Sequence, residues 1–195
     1  MPKVSRQEDL FSSLLPRTMP LMALRSTIVF PHGTIAVQMG APENMALLTE
    51  NPEPGLSVAL IVAPGEAEDP LDTAGVVNRI GVAARVHERI NLPGHTVQIT
   101  LQGMQRIMIE DVQQTEPYPV AIVRDARETP VDATDGRELI TRVIAAAETL
   151  ADVAEKISSE VPSILRMNVA DPGRFADLAA TNLGFRVADR DEVLQ

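Results

Sequence analysis

The sequence predicts an α+β fold, a closed or nearly closed β-barrel followed by a C-terminal helical subdomain. Three observations predict it. Apolar and polar residues alternate with a period of two through much of the first 128 residues. Clusters of Pro, Gly and Asn cut that alternation into short runs. Beyond residue 134 the apolar spacing lengthens to that of a helix. The chain therefore divides into a flexible N-terminal tail at 1–18, a barrel at 19–128, a linker at 129–134 and helices at 135–195.

The elements follow in order. Residues 20–30 read as a strand, Pro31-His32-Gly33 as a turn, and Thr34 to Met39 as a second strand. Residues 43–50 suit a short helix with Met45, Leu47 and Leu48 on its apolar face, ended by Asn51-Pro52. Residues 57–63 form a near-continuous apolar run, as in a buried central strand. Residues 64–75 are a loop rich in Pro, Gly and acid. Then Ile80, Val82, Ala84 and Val86 alternate with Arg79, Gly81, Ala83 and Arg85, a half-buried strand. Leu92-Pro93-Gly94-His95 turns a hairpin, and Val97, Ile99 and Leu101 line the return strand. Gly103 interrupts that pattern as a bulge. Ile107, Ile109, Val120 and Ile122 continue the alternation. Six or seven such short strands, closed on themselves, leave little exposed sheet edge.

In the last third, Leu139, Ile140, Val143, Ile144, Ala147, Leu150, Ala151, Ala154 and Ile157 fall on one helical stripe. Asp171-Pro172 opens a second helix: the Asp side chain accepts from a free backbone N–H, and proline has no N–H to waste. Phe175, Leu178, Ala179 and Leu183 are its buried face, and Gly184 its stop. Asp189 reads as the cap of a further helix, a connecting helix inside which the sequence stops, as a truncated chain would.

Composition bounds the function. Aromatics are only 3% of the chain, so the core must be aliphatic. The formal charge of −10 is spread over both halves, with no basic stripe to displace counterions from phosphates. Nucleic acid and anionic membrane surfaces are disfavoured partners on that ground. The N-terminus lacks the long apolar stretch of a secretory signal. The absence of cysteine excludes disulfides and thiol chemistry and fits a cytoplasmic chain.

Catalytic patterns are sparse. No Gly-rich phosphate loop is present, and neither Lys3 nor Lys156 follows a glycine. Lys156 lies near Ser158 and Ser159, but on a stretch that reads as amphipathic packing. His32, His87 and His95 fall in a turn, on a strand and at a hairpin tip, which suits solvated or locally bonded histidines. Glu66, Glu68, Asp69 and Asp72 lack the alternate spacing and glycine bend of a calcium loop. No catalytic, cofactor or metal residue is therefore expected. Contact surface is a different matter. Flexible thioethers suit surfaces that accept many sequences. Met39 and Met45, with Leu92 and Pro93 at the hairpin tip, are the candidate substrate-binding residues. Arg25, Arg79 and Arg106 are expected to serve as structural partners of nearby carboxylates.

Several segments together resemble a known family. Residues 20–31, PLMALRSTIVFP, are similar to the opening strand of the N-terminal domains of Lon ATP-dependent proteases. Residues 79–86, RIGVAARV, and 92–106, LPGHTVQITLQGMQR, resemble the segment and hairpin that follow there. Glu116-Pro117-Tyr118 and residues 171–180, DPGRFADLAA, resemble two further motifs in the same order. The turn departs from the family pattern by reading Pro93-Gly94-His95, and the helix ending at Asn51 is short.

The resemblance implies a PUA-like β-barrel followed by helices that lead into a long connecting helix. It also implies a role in substrate recognition and ring assembly for an ATP-dependent, AAA+ serine protease of protein quality control. Unfolded or damaged proteins would be the partners, along with the rest of a Lon chain and its neighbours in a hexamer. ATP and Mg would bind only in an ATPase domain that this chain lacks. The alternative is a standalone LON-domain module that docks a small ligand or a protein. RNA binding, by analogy with PUA domains, is disfavoured by the charge and the scarcity of aromatics.

Overall fold

A computed structural model describes residues 15–63, 71–93, 96–126, 133–154 and 157–195. Six strands form one mixed sheet: β1 Thr18–Leu24, β2 Thr34–Met39, β3 Ser57–Val62, β4 Ile80–Leu92, β5 Thr96–Gln114 and β6 Val120–Asp125. β1 runs parallel to β3, and every other pairing is antiparallel. The long β5 closes the circuit. Its first half pairs with β2 and β4, and its second half pairs with β6. The result is a ring, β5-β4-β3-β1-β6 and back to β5, with β2 attached outside it along β5.

Such closure needs bends. Register shifts fall between Ala83 and Ala84 on β4, and between Ile109 and Asp111 and between Val112 and Gln114 on β5. Each extra residue sharpens the local twist. Across the first shift Ala83 pairs with Gln105 and Ala84 with Gly103, so Met104 is the extra residue. Gly103 next to it answers a different demand. A Cβ there would lie 2.2 Å from the Phe30 carbonyl oxygen. The His32 N–H donates to Gly103 O at 3.0 Å, and the Gly103 N–H to Gly33 O at 2.8 Å. The chain before β2 thus lies directly on β5. This is why the expected strand at 20–30 ends at Leu24: Ile28, Val29 and Phe30 leave the sheet and are buried as its cover.

Alternation splits the sheet's side chains between two cores. Met22, Leu60, Val82, Ala84, Ile99 and Leu101 belong to one, under Phe30 and the helix α1, Pro42–Glu50. Met19, Leu21, Ala59, Ile61, Ala83, Ile107 and Ile109 belong to the other. The expectation of a half-buried strand at 80–86 is corrected accordingly, because Ala83 and Ala84 on opposite faces are both fully buried.

Four further helices follow: α2 Ala133–Val153, α3 Val161–Met167, α4 Pro172–Asn182 and α5 Val187–Leu194. A third core of Ala147, Ile157, Val161, Leu165, Phe175 and Ala179 joins α2, α3 and α4. Asp171 caps α4 as expected, accepting from Arg174 N at 3.0 Å. Gly184 follows α4 with φ of 72°, a conformation that glycine adopts freely. Three expectations change. Leu139 is 60% exposed and not on the buried face of α2. α3 lies where no separate helix was expected. α5 begins before Asp189, which sits in its first turn and accepts from Arg186 behind it at 2.8 and 2.9 Å.

The helices dock on the ring through both apolar and charged contacts. Ala180 of α4 and Leu194 of α5 enter the first sheet core. The Arg106 guanidinium of β5 grips the Asp177 carboxylate of α4 with both of its terminal nitrogens. Asp177 is 4% exposed. Arg79 donates to Val62 O at 2.9 Å and pairs with Asp191 of α5. The Gln195 side chain brackets Ile80, accepting from its N–H at 3.0 Å and donating to its carbonyl at 3.1 Å.

Candidate functional site

The candidate contact residues converge on one end of the sheet. Met39 ends β2 and faces Val97 of β5, which faces Asn91 of β4. Leu92, next along β4, pairs with Thr96 as the hairpin narrows, and Pro93 follows it. α1, which carries Met45, starts a short turn after Met39. Arg89 of β4 donates to the Leu48 carbonyl and so ties the end of α1 to the hairpin. Gly94 and His95 lie outside the described residues.

The side chains are not equally available. Met39 is 4% exposed, and its sulfur accepts from Asn44 Nδ2 at 3.5 Å, so it packs in the core in place of offering surface. Asn44 itself is anchored to the Ala23 carbonyl at 3.0 Å. Met45 and Leu92 are half-buried, and Pro93 is exposed. Ile90, two residues before Leu92, is 51% exposed and extends the apolar tip. Sequence reasoning missed it. The alternation of Val82, Ala84 and Val86 would point Ile90 inward, and it is the register shift between Val86 and Glu88 that turns Ile90 outward with Glu88.

Beside this end is a cavity of about 200 Å³, lined among others by Leu48, Asn51, Pro52, Val86, His87 and Arg89. The His87 Nε2 lies 2.6 Å from Gln102 Oε1 across the strands. A second cavity of about 240 Å³ lies on the far half of β5, where Glu110 pairs with Arg124 at 3.2 Å and with Arg17 at 3.8 Å. Asp72 accepts from Gly75 N at 3.1 Å, while Glu66, Glu68, Asp69 and Lys156 lie outside the described residues. Among the described residues no cluster of His, Asp or Glu could hold a metal ion. The arginines expected to be structural are so placed: Arg25 pairs with Glu43 at 3.8 Å, Arg79 with Asp191 and Arg106 with Asp177. Asp177 was not singled out as a partner: it lies across the helix from the Phe175 stripe, on the side of Ala180 that meets the strand ring, so the helical pattern gave no sign of its burial.

The fold is an α+β domain in which a ring of strands is locked to a helical unit. The family model described as the ATP-dependent protease La (LON) substrate-binding domain matches residues 18–195, and the chain belongs to that family. Relatives include Lon protease of Roseiflexus castenholzii, 30% identical over 182 residues, and Lon protease of Dictyoglomus thermophilum, 27% identical over 187. These cover 92% and 93% of this chain respectively, and the chain spans about 22% of the length of each relative. Similar solved structures include the N-terminal domain of the Mycobacterium avium complex Lon protease. It shows a TM-score of 0.48 and 16% identity, covering 91% of this chain and 95% of that one. No helix among the described residues is long and apolar enough to cross a membrane.

Proposed function

We propose that this chain captures unfolded or damaged proteins for an ATP-dependent, Lon-type serine protease and performs no bond chemistry by itself. The observation that carries the reading is the family match across residues 18–195. The 22% span of the Lon relatives supports the rest: nucleotide, magnesium and the proteolytic centre belong to other parts of a longer chain. In that setting the partners are unfolded clients, the remainder of the Lon chain and neighbouring subunits of a hexamer, in the cytoplasm. Met45, Ile90, Leu92 and Pro93, at the hairpin end of the sheet, are the contact residues of this proposal; Met45 lies with the buried Met39 on the core side of the sheet, and Ile90 and Leu92 lie on the other face.

Apolar side chains held at a turn exclude water against apolar stretches that only an unfolded client exposes. Pull-down of a denatured client against its folded form tests the reading. Selective retention of the denatured form is expected, and equal or absent retention of both contradicts it. Leu92→Asp together with Ile90→Asp should weaken retention by about tenfold, a loss near 1.4 kcal/mol. The reading frame of the source gene separates the alternative of a standalone docking module. A frame continuing into a nucleotide-binding motif supports the protease reading.

A further inference from the structure

β2 pairs only with β5 among the described residues and stands outside the closed ring. Among those residues no strand pairs with its other edge. The phase of the ladder says which groups point there. The Gly103 N–H to Gly33 O bond of 2.8 Å makes residues 33 and 103 a hydrogen-bonded pair. In an antiparallel ladder such pairs alternate, so Ile35, Val37 and Met39 bond to β5 while Thr34, Ala36 and Gln38 turn their N–H and C=O outward. All three outward residues are exposed.

Native sheets usually guard such an edge with a charge, a proline or a bulge. β2 has none of these. Thr34–Met39 contains no charged residue and no proline, and its register with β5 runs without a shift. The neighbouring face is equally neutral, since Thr34, Ala36 and Gln38 lie beside Gln102, Thr100 and Gln98. Main-chain pairing along an uncharged edge does little to discriminate between client side chains. That is a liability for a protein with one partner and an advantage for one that must accept many sequences.

We propose that β2 is a strand-addition site, onto which an extended segment of an unfolded polypeptide pairs through its main chain. The proposal rests on the capture reading above and gives it a mechanism. Backbone hydrogen bonds supply affinity that does not depend on client sequence, and the apolar hairpin end adds a side-chain preference. The occupant is a neutral or basic client segment and not a second copy of this chain. Two copies, each with a formal charge of −10, repel one another.

Ala36→Pro tests this directly. It removes an outward donor but no bond to β5, and proline is tolerated where a strand N–H faces solvent. Ala36→Lys adds a guarding charge as a second variant. Each is titrated against a permanently unfolded protein and against a labelled peptide of alternating Val and Thr flanked by Arg. A copy of that peptide, N-methylated at alternate residues, cannot pair. With thermal midpoints unchanged, both variants and the methylated peptide should lose about tenfold in affinity. If the variants hold the unfolded protein as tightly as the parent chain, strand addition is overturned while capture stands. If the parent chain binds no unfolded protein, both readings fall. If sedimentation shows a dimer that Ala36→Lys dissolves, the edge serves self-association and the proposal is overturned.

Discussion

The Arg106–Asp177 pair carries the largest single-residue prediction. Both groups are largely withdrawn from water, with side-chain exposures of 14% and 6%. Removing one partner strands the other charge in a poorly solvated site. Asp177→Ala should therefore destabilise the chain by roughly 3 kcal/mol, measured by urea unfolding. A loss within the noise of that measurement would mean the pair is wetter than its geometry shows. Gly103→Ala should cost on the order of 2 kcal/mol, because its methyl group meets the Phe30 carbonyl and the chain cover must shift. Sequence alone pointed to arginines as carboxylate partners. It could not say which carboxylate, since Arg106 and Asp177 are brought together only by the docking of α4 on β5.

Among the elements, α4 was legible because its signals are local. Asp171, Pro172 and Gly184 each act on the backbone within one turn, and Asp171→Ala should cost about 1 kcal/mol through the lost cap. α3 was not legible. It is short, its buried Val161, Pro162 and Leu165 give too few repeats to show a period, and its stability comes from the third core. Strand boundaries failed for a related reason: residues 28–30 have strand chemistry, but what they cover is decided by Gly103, far along the chain. The start of α5 shows the same limit, because Asp189 has the chemistry of a cap yet sits within the first turn, with Arg186 behind it.

The exposed Arg186–Asp189 pair has a modest pH signature. The hydrogen bond from Arg186 holds the Asp189 carboxyl below its usual range. Its contribution is therefore present above that range and fades as pH falls through the lowered value. Asp189→Asn should remove that part of the acid dependence of the thermal midpoint. Added salt should shrink it in the parent chain, since exposed pairs are screened. An identical acid limb in the variant and the parent would contradict this.

At the scale of the molecule, the strand ring and the helices share one apolar core through Ala180 and Leu194, reinforced by two ion pairs and the Gln195 bracket on Ile80. They should unfold together, with sheet and helix signals coincident in denaturant. The period change near residue 134 announced both parts, and the family motifs announced their order. What neither announced was that β2 lies outside the ring or that Met39 is covered, because both depend on how β5 bends. The measurement that bears most directly on the central claim is a titration of the purified chain with one protein in its unfolded and native forms, with peptide and nucleotide hydrolysis followed alongside. Binding to the unfolded form alone, without turnover, is the predicted result. Equal affinity for the two forms, or cleavage by the chain itself, would contradict the account.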